Sequence, residues 1–110
     1  MPKKTLSAKG RRTKGHNFER KVVNRCEDVG IPAERNLEYQ AHKANGVDVE
    51  TDRFAIQCKC MKQTPNIPKV FKEITSRKDM KVVIFKVDGK GEYACFKFED
   101  ALELMKLFDR

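Results

Sequence analysis

Residues 46–59 read GVDVETDRFAIQCK and place three polar side chains, Asp48, Gln57 and Lys59, where a pair of strands would bring them together. In a strand through Phe54 to Met61, Phe54, Ile56, Cys58 and Cys60 share one face, which leaves Gln57 and Lys59 on the other. The preceding segment alternates as well, with Val47 and Val49 expected on the apolar side and Asp48 and Glu50 opposite. The tight connection Thr51-Asp52-Arg53 favours antiparallel pairing, so Asp48 is expected to meet Gln57 and Lys59 on one sheet face. An ordinary cross-strand ion pair between Asp48 and Lys59 is the plainer alternative.

Such a set suits phosphodiester hydrolysis, which needs charge neutralisation at the phosphate and an activated water. Carboxylates holding Mg²⁺ or Mn²⁺ supply both. Asp48 is suited to bind the metal and Lys59 to orient or polarise the nucleophile. Gln57 can offer its side-chain carbonyl oxygen, and the Cys58 backbone carbonyl is a further hard ligand. The missing second acid is sought in Glu19, one turn before Val23 at the border of a helix face that should meet the sheet. Near a helix start, Glu19 can equally be a simple complement to the helix dipole.

The elements that must position these groups are legible in outline. His16 to Val29 reads as a helix with Phe18, Val22, Cys26 and Val29 on one stripe, ended by Gly30 and Pro32. A short strand is expected within Ile31 to Leu37, then a polar loop from Glu38 to Gly46 that holds Tyr39, His42 and Lys43. After the two site strands, Pro68 opens a second helix reaching about Arg77. Lys81 to Val87 carries the apolar run VVIF of an interior strand, Asp88-Gly89 marks a turn, and Glu92 to Phe98 returns as a hairpin partner. Glu99 or Asp100 opens a last helix with Leu102, Met105 and Phe108 on one face, widened by Leu104 and Leu107. Burial against its own sheet is the commoner use of such a face, and a dimer contact the other.

With 110 residues the chain is one domain, and 39% hydrophobic against 36% charged residues fits a globular protein. No apolar run approaches the roughly 20 residues of a membrane span, and no secretory h-region opens the chain. A cytoplasmic setting is expected, or a host cytoplasm for a viral protein, with cysteines unbridged. The formal charge of +8 is uneven: Lys3, Lys4, Lys9, Arg11, Arg12 and Lys14 give the first fourteen residues +6 with no acid. Residues 1–14 are expected to form a flexible basic arm, with the folded domain over 15–110. An arm of this kind gains from releasing counterions beside a phosphate backbone. DNA grip is assigned to Lys9, Arg11, Arg12, Lys14, Arg20, Lys43 and Lys62, which can follow a bent or branched backbone without reading bases. The four cysteines do not have the knuckle spacing of a zinc site, and Cys58 and Cys60 are expected as buried thiols. His16 and His42 define no site, although His42 can touch a phosphate from its loop.

The order Lys14-Gly15, Phe18-Glu19-Arg20, Gly46-Val47-Asp48, Ile56-Gln57-Cys58-Lys59 resembles the PD-(D/E)XK nuclease superfamily, and within it the archaeal and viral Holliday junction resolvases. The resemblance covers roughly Arg12 to Val87. It implies an α/β fold, a mixed central sheet of about five strands flanked by helices in the restriction-endonuclease-like arrangement. It also implies a homodimer that uses Mg²⁺ (or Mn²⁺) to cut branched DNA, with no small-molecule cofactor and no membrane. By position, Glu19 matches the first-helix glutamate, Asp48 the metal-binding aspartate, Gln57 the variable acid and Lys59 the catalytic lysine. Glutamine at 57 departs from the usual acid and lowers the expected metal affinity; Glu50, which shares the parity of Asp48, is the candidate to compensate. Other nucleases of the superfamily, acting on flaps, nicks or duplex ends, and a non-catalytic DNA binder of the same fold are the competing expectations.

Overall fold

The computed structural model describes residues 8–37, 46–76 and 80–109. Eight elements follow in order: α1 (Ala8–Asp28), β1 (Glu34–Arg35), β2 (Val49–Glu50), β3 (Phe54–Met61), α2 (Ile67–Glu73), β4 (Met80–Val87), β5 (Gly91–Phe96) and α3 (Phe98–Phe108). The strands form one sheet in chain order, antiparallel throughout except for the parallel pair β3–β4 that α2 connects. The fold is therefore α/β with a mixed five-stranded sheet. Among the described residues no helix is long and apolar enough to cross a membrane.

α1 begins at Ala8, eight residues before the expected His16. Ala8, Lys9, Arg11, Arg12 and Lys14 are good helix formers that offset Gly10 and Gly15, and a tertiary contact tethers the stretch: Lys14 Nζ donates to both Asp88 carboxylate oxygens at 3.0 and 2.8 Å. The second half of the expected arm is thus the first two turns of a helix. Residues 1–7, with Lys3 and Lys4, and the loop 38–45, with Tyr39, His42 and Lys43, lie outside the described residues. On the stripe of α1, Phe18 and Val22 are buried and Cys26 packs beside them, but Val29 is 72% exposed, past the helix end.

The sheet buries two faces. On one, Phe18 and Val22 of α1 meet Val49, Ile56 and Val82. On the other, Val70 and Phe71 of α2, with Ile74 just beyond it, meet Val47, Ala55, Val83, Phe85 and Val87. Asn66 caps α2 by accepting the Lys69 N–H, and Pro68 occupies its first turn; the helix stops at Glu73, short of the expected Arg77. β4 is an interior strand, and Val82 and Val83 are 3% and 0% exposed. α3 differs most from expectation: none of its residues is buried, and Leu102, Met105 and Phe108 face outward.

Candidate functional site

Val47 and Val49 enter opposite clusters, although strict alternation would put residues two apart on one side. The irregularity sits at Asp48. In the β2–β3 ladder Val49 pairs with Ile56, yet the Asp48 N–H also donates to the Ile56 carbonyl at 2.8 Å, one residue out of step. Such bulges re-aim a side chain and gather beside active sites. The expectation that Asp48 simply joins Gln57 and Lys59 on one flat face is corrected accordingly: Asp48 stands at the seam between the two faces.

The edge of the sheet holds that bulge in place. Asn36 donates its backbone N–H to the Asp48 carbonyl at 2.8 Å and its Nδ2 to the Val47 carbonyl at 2.9 Å. On the other side Gly46 takes φ +75°, and a Cβ built there would stand 1.9 Å from the Glu73 carbonyl oxygen, so only glycine lets the chain cross α2 so closely. The connection to β3 is closed by Thr51, whose Oγ1 accepts the Phe54 N–H at 3.0 Å.

The Asp48 carboxylate turns back on β3, where Oδ2 accepts the Cys58 N–H at 2.9 Å. Burial pushes its pKa up to about 6; the Cys58 hydrogen bond opposes the shift, the Glu19 charge adds to it, and Lys59 and Arg35 oppose it. Glu19, Lys59 and Arg35 are thus the charged groups that Asp48 feels. Glu19 reaches it from α1, on the side of Ile56 and Cys58 and not on the side of Gln57 and Lys59. Its Oε1 accepts from Arg35 Nε at 3.2 Å and Nη2 at 3.1 Å, in a pair whose side chains are only 14% and 17% exposed. Lys59 Nζ lies 3.7 Å from Glu73 Oε2 at the end of α2. Gln57 is buried on the α2 side, and its Oε1 has no hydrogen-bond partner. Cys58 shares the α1 face with Ile56, and burial first, then the Asp48 and Glu19 charges, push its thiol above the ordinary range. It is one of four free cysteines.

Among the described residues no three His, Cys, Asp or Glu side chains gather as a metal cluster. The donor set available is two carboxylates and one carboxamide, all hard oxygens, which fits Mg²⁺ or Mn²⁺ rather than zinc. The Gln57 acceptor without a partner and the Asp48 carboxylate whose charged form is disfavoured are each groups that a bound cation would relieve. Glu50, expected as an auxiliary acid, stands opposite Ala55 and Glu34 in the ladder; the acid whose charge Asp48 registers is Glu19.

Of the cations assigned to DNA, Lys9, Arg11, Arg12 and Arg20 are exposed along α1, and Lys62 is exposed just past β3. Lys14 is engaged with Asp88, which raises its affinity for the proton. Arg35, Asn36 and Glu73 were not among the expected site residues. Arg35 and Asn36 lie in or beside a two-residue strand, and Glu73 ends a short helix, so only the tertiary contacts mark them. Comparison of the chain with protein-family models, with curated proteins and with solved structures gave no match.

Proposed function

We propose that the protein is a divalent-metal-dependent, structure-selective DNA endonuclease that acts on four-way junctions as a Holliday junction resolvase. The observation that carries this reading is the half-buried Asp48 carboxylate, anchored on the Cys58 N–H and sharing its field with Glu19 and Lys59. The order of these residues along the chain, with its resemblance to the PD-(D/E)XK nucleases, supports the reading independently.

In this reading Asp48, Glu19 and Gln57 would hold Mg²⁺, with the Cys58 carbonyl as a further ligand. Bound there, the cation supplies charge neutralisation at the phosphate and a more acidic water. Lys59 orients the attacking water through its ammonium group, and Glu73 keeps that ammonium from swinging away. Arg35 fixes one Glu19 oxygen and leaves the other to face the site. The exposed cations of α1 and Lys62 follow the phosphates of a bent backbone, with no base readout required. Cutting opposed strands of a junction needs two such sites, so the reading includes a pair of chains.

The test compares a four-way junction, a flap and a linear duplex with strand-resolved products in Mg²⁺. Paired, symmetric cuts confined to the junction are expected, lost in Asp48→Ala with junction binding kept. Preference for flap or linear DNA would move the protein to another nuclease class, and absence of cutting at any enzyme excess would make it a binder only.

A further inference from the structure

Lys14 and Lys21, about two turns apart on α1, stand on the flank of that helix away from Glu19. Glu19 pairs with Arg35 at the β1 edge of the sheet, whereas Lys21 Nζ donates to Glu92 Oε2 at 2.6 Å at the β5 edge. Between this flank and the ends of β3 and β4 lies a hollow of about 430 Å³, walled in part by Thr13, Lys14, Asn17, Lys21, Cys60 and Lys86. Cys60, Lys86 and Glu92 form one row across β3, β4 and β5, so Lys86 enters the hollow from the sheet as the other two lysines enter it from the helix. The donors on its walls are three ammonium groups and the Asn17 Nδ2. Asn17 Oδ1 is taken up by Arg20, and the Thr13 hydroxyl donates to the Lys9 carbonyl. No carboxylate is among the described residues that wall it. Asp88 and Glu92 stand outside, each engaging one helix lysine, and Lys86 makes no ion pair of its own among the described residues. The cations that these two acids feel are Lys14, Lys21, Arg25, Lys62 and Lys86, so five positive charges face two negative ones, a net +3.

We infer that this hollow is a phosphate-binding pocket, separate from the Asp48 site, in which Lys14, Lys21 and Lys86 close on the oxygens of one phosphate group. Three compact ammonium charges around one space suit a multiply charged, tetrahedral anion, where a single planar carboxylate would call for the fork of an arginine. The acids at the rim do not use up the site. Each ammonium has three N–H bonds; Lys14 gives two to Asp88 and Lys21 gives one to Glu92, so both keep donors for a ligand. These pairs are partly exposed, with side chains 33% to 50% accessible, and pairs of that kind are weak enough to rearrange around an anion. Asp88 and Glu92 thus hold the helix lysines in position, while Lys86 supplies the charge that nothing neutralises. The phosphate can belong to a nucleic-acid backbone or to a free ligand. The inference rests on charge and donor placement and does not depend on the nuclease reading.

The experiment titrates tripolyphosphate into the full chain by calorimetry, without divalent metal and at constant ionic strength. Lys86→Gln is the test variant because it breaks no ion pair among the described residues. Lys69→Gln, exposed on the helix that covers the other sheet face, removes the same charge elsewhere. Wild type is expected to show one site per chain, from which inorganic phosphate displaces the probe. Binding is expected to weaken at least about tenfold in Lys86→Gln and less than about twofold in Lys69→Gln. Duplex DNA identifies the source of the phosphate. A slope of log affinity against log salt that falls by about 0.9 in Lys86→Gln assigns the pocket to a backbone phosphate, and an unchanged slope with tripolyphosphate binding lost assigns it to a free ligand. A wild-type chain that binds tripolyphosphate without a defined stoichiometry overturns the proposal, as does Lys86→Gln binding it as tightly as Lys69→Gln. Circular dichroism accompanies each protein, and Lys21→Gln takes the place of Lys86→Gln should the latter lose its structure.

Discussion

The Asp48 carboxylate accepts the backbone N–H of Cys58 at 2.9 Å, and this bond ties the bulged end of β2 to the middle of β3. It engages one of the two carboxylate oxygens, Oδ2. The hydrogen bond favours the charged form, yet burial and the Glu19 charge outweigh it. The protein holds a carboxylate where burial disfavours its charge, an arrangement that is enriched at functional sites.

A pH-dependent stability follows. The folded-state pKa of Asp48 is raised from 3.8 to about 6, so the folded state keeps a proton that the unfolded chain has released. Stability is therefore lost as pH rises through about 4 to 6, and the full penalty, at most about 3 kcal/mol, is present above that window. Asp48→Asn keeps an acceptor for the Cys58 N–H without the charge. Its melting temperature is expected to match wild type below pH 4 and to exceed it by several degrees at pH 7. Adding Mg²⁺ is expected to narrow the gap by stabilising wild type alone. Thermal melts of both proteins across pH 3.5 to 8 check the sign, and a variant less stable than wild type at pH 7 contradicts it.

Arg35 is expected to matter more than an exposed ion pair would, because both it and Glu19 are mostly buried. Arg35→Ala leaves the Glu19 charge unpaired beside Asp48 and is expected to cost about 2 kcal/mol at pH 7. Arg35→Met with Glu19→Gln removes both charges at similar volume and is expected to recover most of that stability while cutting stays lost. Denaturant titrations of the two proteins and the Glu19→Gln single variant measure the coupling; an Arg35→Ala protein as stable as wild type rules it out.

The strands, their order around the site and the β4–β5 hairpin were legible because alternation and turn residues are local signals. Cys58 and Cys60 stand with Ile56, and Gln57 and Lys59 opposite, as the period of two requires. The bulge at Asp48 was not legible, since period-two reasoning assigns Val47 and Val49 to one side and only the packing of Val47 on α2 reveals the slip. The start of α1 was misplaced for a related reason. Lys9 to Lys14 read as a solvated arm by charge, whereas the Asp88 partner 74 residues away anchors it. Arg35, Asn36 and Glu73 enter the site by long-range contacts that no spacing announces. The proposed function, by contrast, rests as much on the sequence order as on the geometry.

Gly46 and Gly30 separate two costs of replacing a glycine. Both have positive φ, +75° and +84°, but a Cβ at Gly30 meets nothing within 4 Å, while at Gly46 it meets the Glu73 carbonyl at 1.9 Å. Gly30→Ala is expected to cost about 1 kcal/mol, the backbone strain alone. Gly46→Ala adds displacement of the Asp48 segment from α2 and is expected to cost roughly 2–4 kcal/mol and to lower cutting by the protein that remains folded. Chemical denaturation of both, with cleavage measured well below the midpoint, checks the difference; equal costs would mean that the Gly46 contact is not the constraint.

The proposed cation site turns on Gln57. Its buried Oε1 has no partner, a cost that a ligand role would offset. Gln57→Glu places a negative charge at a buried position without a hydrogen-bond donor, so the metal-free protein is expected to lose stability at pH 7. The same charge favours the cation, and half-saturating Mg²⁺ for cleavage is expected to fall about tenfold, the equivalent of about 1.4 kcal/mol. Gln57→Leu keeps the approximate volume and removes the unpartnered acceptor, so the metal-free protein is expected to be no less stable, and the Mg²⁺ requirement to rise or cutting to disappear. The opposed directions matter, because a packing role alone would make both variants worse in proportion to their stability. Cleavage of the preferred substrate across a Mg²⁺ series, beside melts without metal, reads both. If the leucine variant cuts with the wild-type Mg²⁺ dependence, the carboxamide is not a ligand, and the cation must be held by Asp48 and Glu19 without it.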